Sequence, residues 1–235
     1  MKKQLIILTV VFSIFSCSKN ESNLHITGNI KGLNKGTLYI QKIVDTLLVP
    51  IDTIKIDGKS EFESHLQIDS PEMYYLFLDR GVTNSLDNNI PFFAESGEIS
   101  IQTSLENYLS DAKISGSKNH DKFEEYKLVN TRYADKNLDL VQMQFKAYQN
   151  KNLAKADSIA NEQDLVTKRR YLYAVNFALN NKDYEVAPFI ALSEIPDVNL
   201  KYLDTIQKMM TPKVAKSMYG KKLKDFYKER LKNGI

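Results

Sequence analysis

The feature that most constrains this chain is a change of hydrophobic period near residue 116. Before it, apolar and polar residues alternate in short runs bounded by turn signals. After it, apolar residues recur every three or four positions through two runs of more than twenty residues without Gly or Pro. A period of two belongs to a half-buried strand, and a period of 3.6 to an amphipathic helix. The expected fold is therefore α+β: an N-terminal antiparallel β-sandwich over 24–116, followed by a C-terminal α-helical hairpin or bundle over 117–235.

In the first half, His25 to Ile30 alternates, Gly32 to Gly36 turns, and Thr37 to Ile40 resumes a strand. Pro50 to Ile56 alternates again. Asp57-Gly58 then predicts a hairpin into Ser60 to Leu66, because both residues tolerate positive φ in a tight turn. Met73 to Leu78 is a nearly continuous apolar run suited to a central strand. Ser96-Gly97 predicts a second hairpin, between Ile90–Ala94 and Glu98–Gln102, and Ala112 to Ser115 closes the set. Regular turn signals between short strands fit a sandwich.

In the second half, Tyr133, Leu138, Val141, Phe145 and Tyr148 form the expected core stripe of a helix over 118–150. Ala156, Ile159, Val166, Tyr173 and Phe177 do the same for a helix over 153–179. Their short connection, Asn150-Lys151-Asn152, makes them antiparallel neighbours. Asp183 is placed to cap a short helix ending at Ile195, with Pro188 near its first turn. Leu200 to Met210 and Pro212 to Asn233 predict two more helices. Leu223, Phe226, Tyr227 and Leu231 stripe the last of these, and Gly234 caps it.

The first sixteen residues read as an export signal. Lys2 and Lys3 precede an apolar run from Leu5 to Phe15, too short for a membrane span of about 20 residues. Ile14-Phe15-Ser16-Cys17 resembles the bacterial lipobox. That resemblance implies cleavage before Cys17, acylation of Cys17, and a lipid bilayer as the first partner. Residues 17–23 then form a polar tether. Cys17 is the only cysteine, so disulfides, a CxxC redox pair and a thiol nucleophile are excluded from the rest of the chain. Ser18 after the lipid cysteine resembles an outer-membrane signal, and the acidic run of surface-export tags is missing. The expected location is the cell envelope, lipid-anchored in the outer membrane and facing the periplasm.

Charge divides the chain at the same place. Residues 24–115 carry 7 basic and 13 acidic side chains, and residues 116–235 carry 22 and 15. Such asymmetry fits an interaction surface or, more simply, halves that attract one another within the monomer. The basic residues are spread along helices and interleaved with acids, so no compact basic patch with stacking aromatics points to nucleic acid.

Gly28-Asn29-Ile30, Gly32 to Gly36, Asp57-Gly58-Lys59, Phe62 and Pro71 to Leu76 together resemble the core pattern of a Bacteroidota lipoprotein domain of unknown function. Phe92 to Ile99 and the exit at Ile114-Ser115-Gly116-Ser117 also fit it. That domain usually precedes a thioredoxin-like domain in membrane-anchored thiol-disulfide oxidoreductases. The resemblance implies a location and a fold. It implies no redox activity, because the thioredoxin-like domain would begin where Ile235 stands and no CxxC is present.

No catalytic constellation emerges. His25, His65 and His120 lie outside HxxxH and ExxH spacings, so no metal ligand set and no cofactor is expected. His120-Asp121 fits a polar helix start better than an acid–base pair. Asp45-Thr46 and Asp52-Thr53 repeat at turn positions, where exposed acids are ordinary. There is no GxSxG, GxxxxGK[ST] or GxGxxG. Asp79 to Asn89 is the longest polar loop of the sandwich half and the best place there for a ligand. Two functions follow. The first is a membrane-anchored, non-catalytic docking module for a thioredoxin-like or other envelope protein, with Lys221, Lys222 and Lys224 on the last helix as docking residues. The second is a carboxylate-based envelope hydrolase acting on glycans.

Overall fold

A computed structural model describes residues 22–81 and 85–234; the expected export signal, residues 1–16, and Cys17 lie outside these residues. Eight strands form two four-stranded sheets. The strands are β1 (Leu24–Lys31), β2 (Lys35–Val44), β3 (Leu47–Asp57), β4 (Glu61–Leu66), β5 (Glu72–Asp79), β6 (Asn89–Ala94), β7 (Gly97–Ser104) and β8 (Lys113–Ser115). The first sheet has the order β4-β1-β7-β8 and the second β3-β2-β5-β6.

Two expectations about the strands need correction. Asp57-Gly58 and Ser96-Gly97 are turns, with Gly58 at φ +86 and Gly97 at φ +124, but neither closes a hairpin. At each the chain leaves the second sheet for the first, since β3 and β6 belong to one and β4 and β7 to the other. A tight turn reverses the chain without choosing the strand that will lie beside it. The second correction follows from the first. Arriving from the other sheet, β7 runs in the same direction as β1, and the two pair in parallel from Leu24↔Gly97 to Lys31↔Ser104. The remaining pairs are antiparallel.

The two sheets share one core. Leu24, Ile26 and Ile30 of β1, Phe62 of β4, and Ile99 and Ile101 of β7 cluster with Leu38 and Ile40 of β2, Leu76 and Leu78 of β5, and Phe92 of β6. Each set follows period two, so the alternate residues of the second sheet face the other way. There Met73 and Phe93 join a different cluster, built from helices. Phe93 meets Phe123, Phe189 and Tyr219 edge-on, with ring centroids 5.8, 5.2 and 6.2 Å away. The helices thus cover part of the outer face of the second sheet.

The helices are α1 (Lys118–Gln149), α2 (Leu153–Asn180), α3 (Val186–Ser193), α4 (Leu200–Met209), α5 (Pro212–Lys216) and α6 (Met218–Asn233). The single helix expected over 212–233 is two. Ser217 is extended at ψ 170, and its hydroxyl caps the Gly220 amide at 3.2 Å. A Cβ on Gly220 would lie 2.0 Å from the Val214 carbonyl oxygen, so glycine permits the close fold-back of α6 on α5. Gly234, at φ +67, ends α6 as expected.

Asp183 does not cap α3, which starts at Val186 and ends at Ser193, two residues before the expected Ile195. The Val186 amide donates instead to Asn119 Oδ1 at 2.9 Å. The Asn119 side-chain amide bridges Glu95 Oε2 at 2.7 Å and Glu185 Oε2 at 3.1 Å. Glu95 also accepts from the backbone amides of Lys118 and Asn119, placing a carboxylate at the start of α1, where the helix dipole favours it. Asn119 and Glu185 are buried, so this knot satisfies polar groups that would otherwise be costly.

Candidate functional site

A tight two-residue hairpin joins β2 and β3, at a place where the sequence signals predict none. Val44 pairs with Leu47 across a two-residue loop, Asp45-Thr46, with Asp45 at φ +57. Aspartate tolerates the left-handed region that such a loop requires. The acid of the Asp-Thr repeat is therefore a turn residue. Asp52 lies further along β3 and accepts from the Ser64 hydroxyl and the Thr53 amide, so the repeat does not converge on one ligand.

This hairpin projects an apolar tip. Pairing of β5 with β2 ends at Lys42↔Tyr74, so Ile43, Val44, Leu47 and Leu48 pair only with one another, in the β2–β3 ribbon. These four and Val49 are exposed, Leu47 to 69 %. Five large apolar residues within seven positions form a contiguous patch of the kind that marks a contact surface.

The tip lies at the end of the sheets where the chain enters. β1 begins at Leu24, opposite Leu66 and Gly97. Three residues, 32–34, turn the chain at the far end of β1, and β2 runs back to Val44 in the second sheet. Asn23 and the hairpin tip therefore share one end of the molecule.

Beside the tip is a groove of about 800 Å³ between the 69–72 segment and α5–α6, where Lys221 and Lys222 face Asp69 and Glu72. Lys42 Nζ lies 4.0 Å from Glu72. Burial raises the Glu72 pKa above its ordinary value, while Lys42 and Lys222 pull it back down. Lys213 Nζ approaches the buried Glu185 at 3.7 Å. The groove is thus of mixed charge. Of the three lysines expected to dock a partner, all are exposed and two line the groove; Lys224 does not.

Of the expected core stripe of α1, Tyr133 packs against the α1–α2 core and the other four residues are on the surface. Leu138, Val141, Phe145 and Tyr148 are exposed, Phe145 to 63 %. α2 covers a neighbouring face instead, where Leu140 and Ala147 pack with Ala156, Ile159 and Val166. Spacings of three, four and three across 138, 141, 145 and 148 are those of a helix–helix seam left without a partner helix. On α6, Leu223 is buried and Phe226 and Tyr227 pack on the core, but Leu231 is exposed.

His120 lies in the core. Its Nε2 is 3.3 Å from Glu124 Oε1, and its backbone amide donates to the Ser117 hydroxyl at 3.0 Å, in keeping with a polar helix start. His25 and His65 meet face to face: β1 pairs with β4 at His25↔His65, and the rings stack with centroids 4.2 Å apart. Glu63 shares their side of the sheet. Spacing in the chain does not disclose this group, because its members come from two strands about forty residues apart. The local sign is Glu63-x-His65, which on a strand faces one way.

The Asp79 to Asn89 loop lies at the opposite end of the sheets from the tip, and residues 82–84 of it fall outside the described residues. Arg80 Nη2 donates to the Leu105 carbonyl at 2.7 Å, and the Gly81 amide to Asp79 Oδ1 at 2.8 Å. Among the described residues, no helix is long and apolar enough to cross a membrane.

Among the described residues, these elements define a mixed α+β protein with two mostly antiparallel sheets, six α-helices, and exposed apolar surface on a hairpin and on a helix. Residues 24–123 match the family model of a domain of unknown function, DUF4369. That match spans the eight strands and the start of α1. No curated protein matches the chain.

Proposed function

We propose that this protein is a membrane-anchored, non-catalytic docking module of the cell envelope. Acylated Cys17 holds it to the outer membrane on the periplasmic side, and residues 17–23 tether it. We read the two sheets as a β-sandwich, and α1 and α2 as a helical hairpin that presents its exposed stripe to another envelope protein, such as a thioredoxin-like one. Lys221 and Lys222 provide a charged contact beside the tip.

The observation that carries this reading is the apolar β2–β3 tip at the end where the tether enters. Seven residues from Cys17 to Leu24 reach at most about 25 Å, so that end stays close to the bilayer. Burying a leucine is worth about 1.5–3 kcal/mol. Acyl chains contribute about 0.8 kcal/mol per buried methylene, and several chains anchor stably. The lipid therefore retains the protein, and the tip sets its orientation.

The chain has no tryptophan, so Leu48→Trp gives a single fluorescent reporter. In the lipidated protein in vesicles, its emission should shift to the blue and be quenched by bromine-labelled acyl chains. A Leu165→Trp control on α2 should respond to neither. Equal and weak quenching of both would overturn the reading.

A further inference from the structure

We infer that His25, Glu63 and His65 form a surface site for a divalent transition metal of the zinc class, with Glu98 available as a fourth ligand. One ligand atom from each of the first three lies within 4.8 Å of the others. A tetrahedral ion with bonds of about 2.0–2.2 Å holds its ligands about 3.3–3.6 Å apart. The group therefore needs only a small closure. Glu63 and His65 are exposed and can make it without disturbing the core.

The backbone sets this geometry. The Ile30 amide donates to the Ser60 carbonyl at 3.0 Å, and the β1–β4 register is regular from Leu24↔Leu66 to Asn29↔Glu61. Even-numbered residues of β1 therefore make the ladder bonds. His25 stands at the alternate position, where facing side chains are closest. Glu63 is two residues before His65 and so on the same face. On the other side of His25, β7 places Glu98 in register with it. Two imidazoles and carboxylates from three adjacent strands form a donor set that suits zinc and its neighbours better than calcium or magnesium, which prefer oxygen alone.

His25 Nε2 adds an independent sign. It is shielded from solvent and has no hydrogen-bond partner among the described residues. A polar nitrogen in that condition is unusual and calls for a partner. The rings of His25 and His65 are stacked at an interplanar angle of 13°, so the exposed His65 ring must turn out of the stack to aim its nitrogen at an ion held by His25. The site is on the outer face of the first sheet, away from the helices and distinct from the groove beside α6.

Isothermal titration of the mature, tag-free protein with Zn²⁺ tests this, with Ca²⁺ and Mg²⁺ as controls. One saturable Zn²⁺ site per chain is expected, with no heat from the other two ions. His65→Ala and His25→Gln should each weaken it by roughly tenfold or more. Glu63→Gln and Glu98→Gln separate the third ligand from the fourth. Because His65 is exposed, its variant is expected to melt at the wild-type temperature without metal and to lose the metal-induced rise. No saturable binding, or binding unchanged in the His65→Ala protein, would overturn the assignment.

Discussion

The backbone amide of Met73 donates to the phenolic oxygen of Tyr219 at 3.0 Å, joining a strand of the second sheet to the last helix across 146 residues of chain. Both partners are buried. Tyr219→Phe keeps the ring but leaves a buried amide unpaired, which costs about 1–3 kcal/mol. Chemical denaturation should show that loss as a single lowered midpoint. Separate melting of strands and helices, in wild type or variant, would mean that the two parts are not coupled through this contact.

Leu140→Ala and Phe145→Ala give opposite expectations from the sequence pattern and from the structure. The pattern places Phe145 in the core, whereas the structure buries Leu140 and exposes Phe145. Truncation of Leu140 should cost about 2–5 kcal/mol, and truncation of Phe145 should stay within about 0.5 kcal/mol. Melting of the two variants decides between them.

His120 makes stability depend on pH. Burial lowers its pKa below the ordinary value; Glu124 and Asp121 oppose this, and Lys127 adds to it. The unfolded chain therefore binds a proton more readily than the fold does. Stability from this group is complete above the unfolded value of about 6.5 and is lost as pH falls toward the folded value. Between pH 7.5 and 5.5 the wild-type melting temperature should fall more than that of His120→Gln. Equal falls would remove the effect from His120.

Gly220→Ala should be among the most damaging single methyl additions. The new Cβ would meet the Val214 carbonyl, a backbone atom with little room to move. A loss of about 3 kcal/mol or more is expected, read as a drop in the unfolding midpoint.

The α6 lysines can be ranked by position. Lys221 and Lys222 line the groove, whereas Lys224 does not. Charge reversal at the first two should reduce in-cell crosslinking to an envelope partner, and reversal at Lys224 should reduce it less. The same loss at all three would point to bulk charge rather than to this groove.

Secondary structure was largely legible in the sequence, and the pairing of elements was not. Gly58 and Gly97 mark turns because a positive φ is a local property. Which sheet receives the next strand depends on the packing of distant apolar faces, so the crossovers and the parallel β1–β7 pair left no local sign. Asp45-Thr46 stands out in the sequence only as half of a repeat with Asp52-Thr53, and the apolar run after it lacks the alternation of a half-buried strand because that tip is exposed on both faces. His25 and His65 were separate residues until the register brought them together. On α1 the apolar period was visible, but two faces carry it, and only the position of α2 decides which one is covered.

Fractionation of native envelopes tests the central claim most directly, with wild type, Cys17→Ala exported behind a cleavable non-lipoprotein signal in place of residues 1–16, and that Cys17→Ala form combined with Leu47→Glu and Leu48→Glu. The account predicts wild type wholly in the membrane fraction, Cys17→Ala released in part because the tip still touches the bilayer, and the combined variant fully soluble. Wild type in the soluble fraction, or Cys17→Ala retained as firmly as wild type, would contradict a lipid-anchored module seated by its hairpin tip.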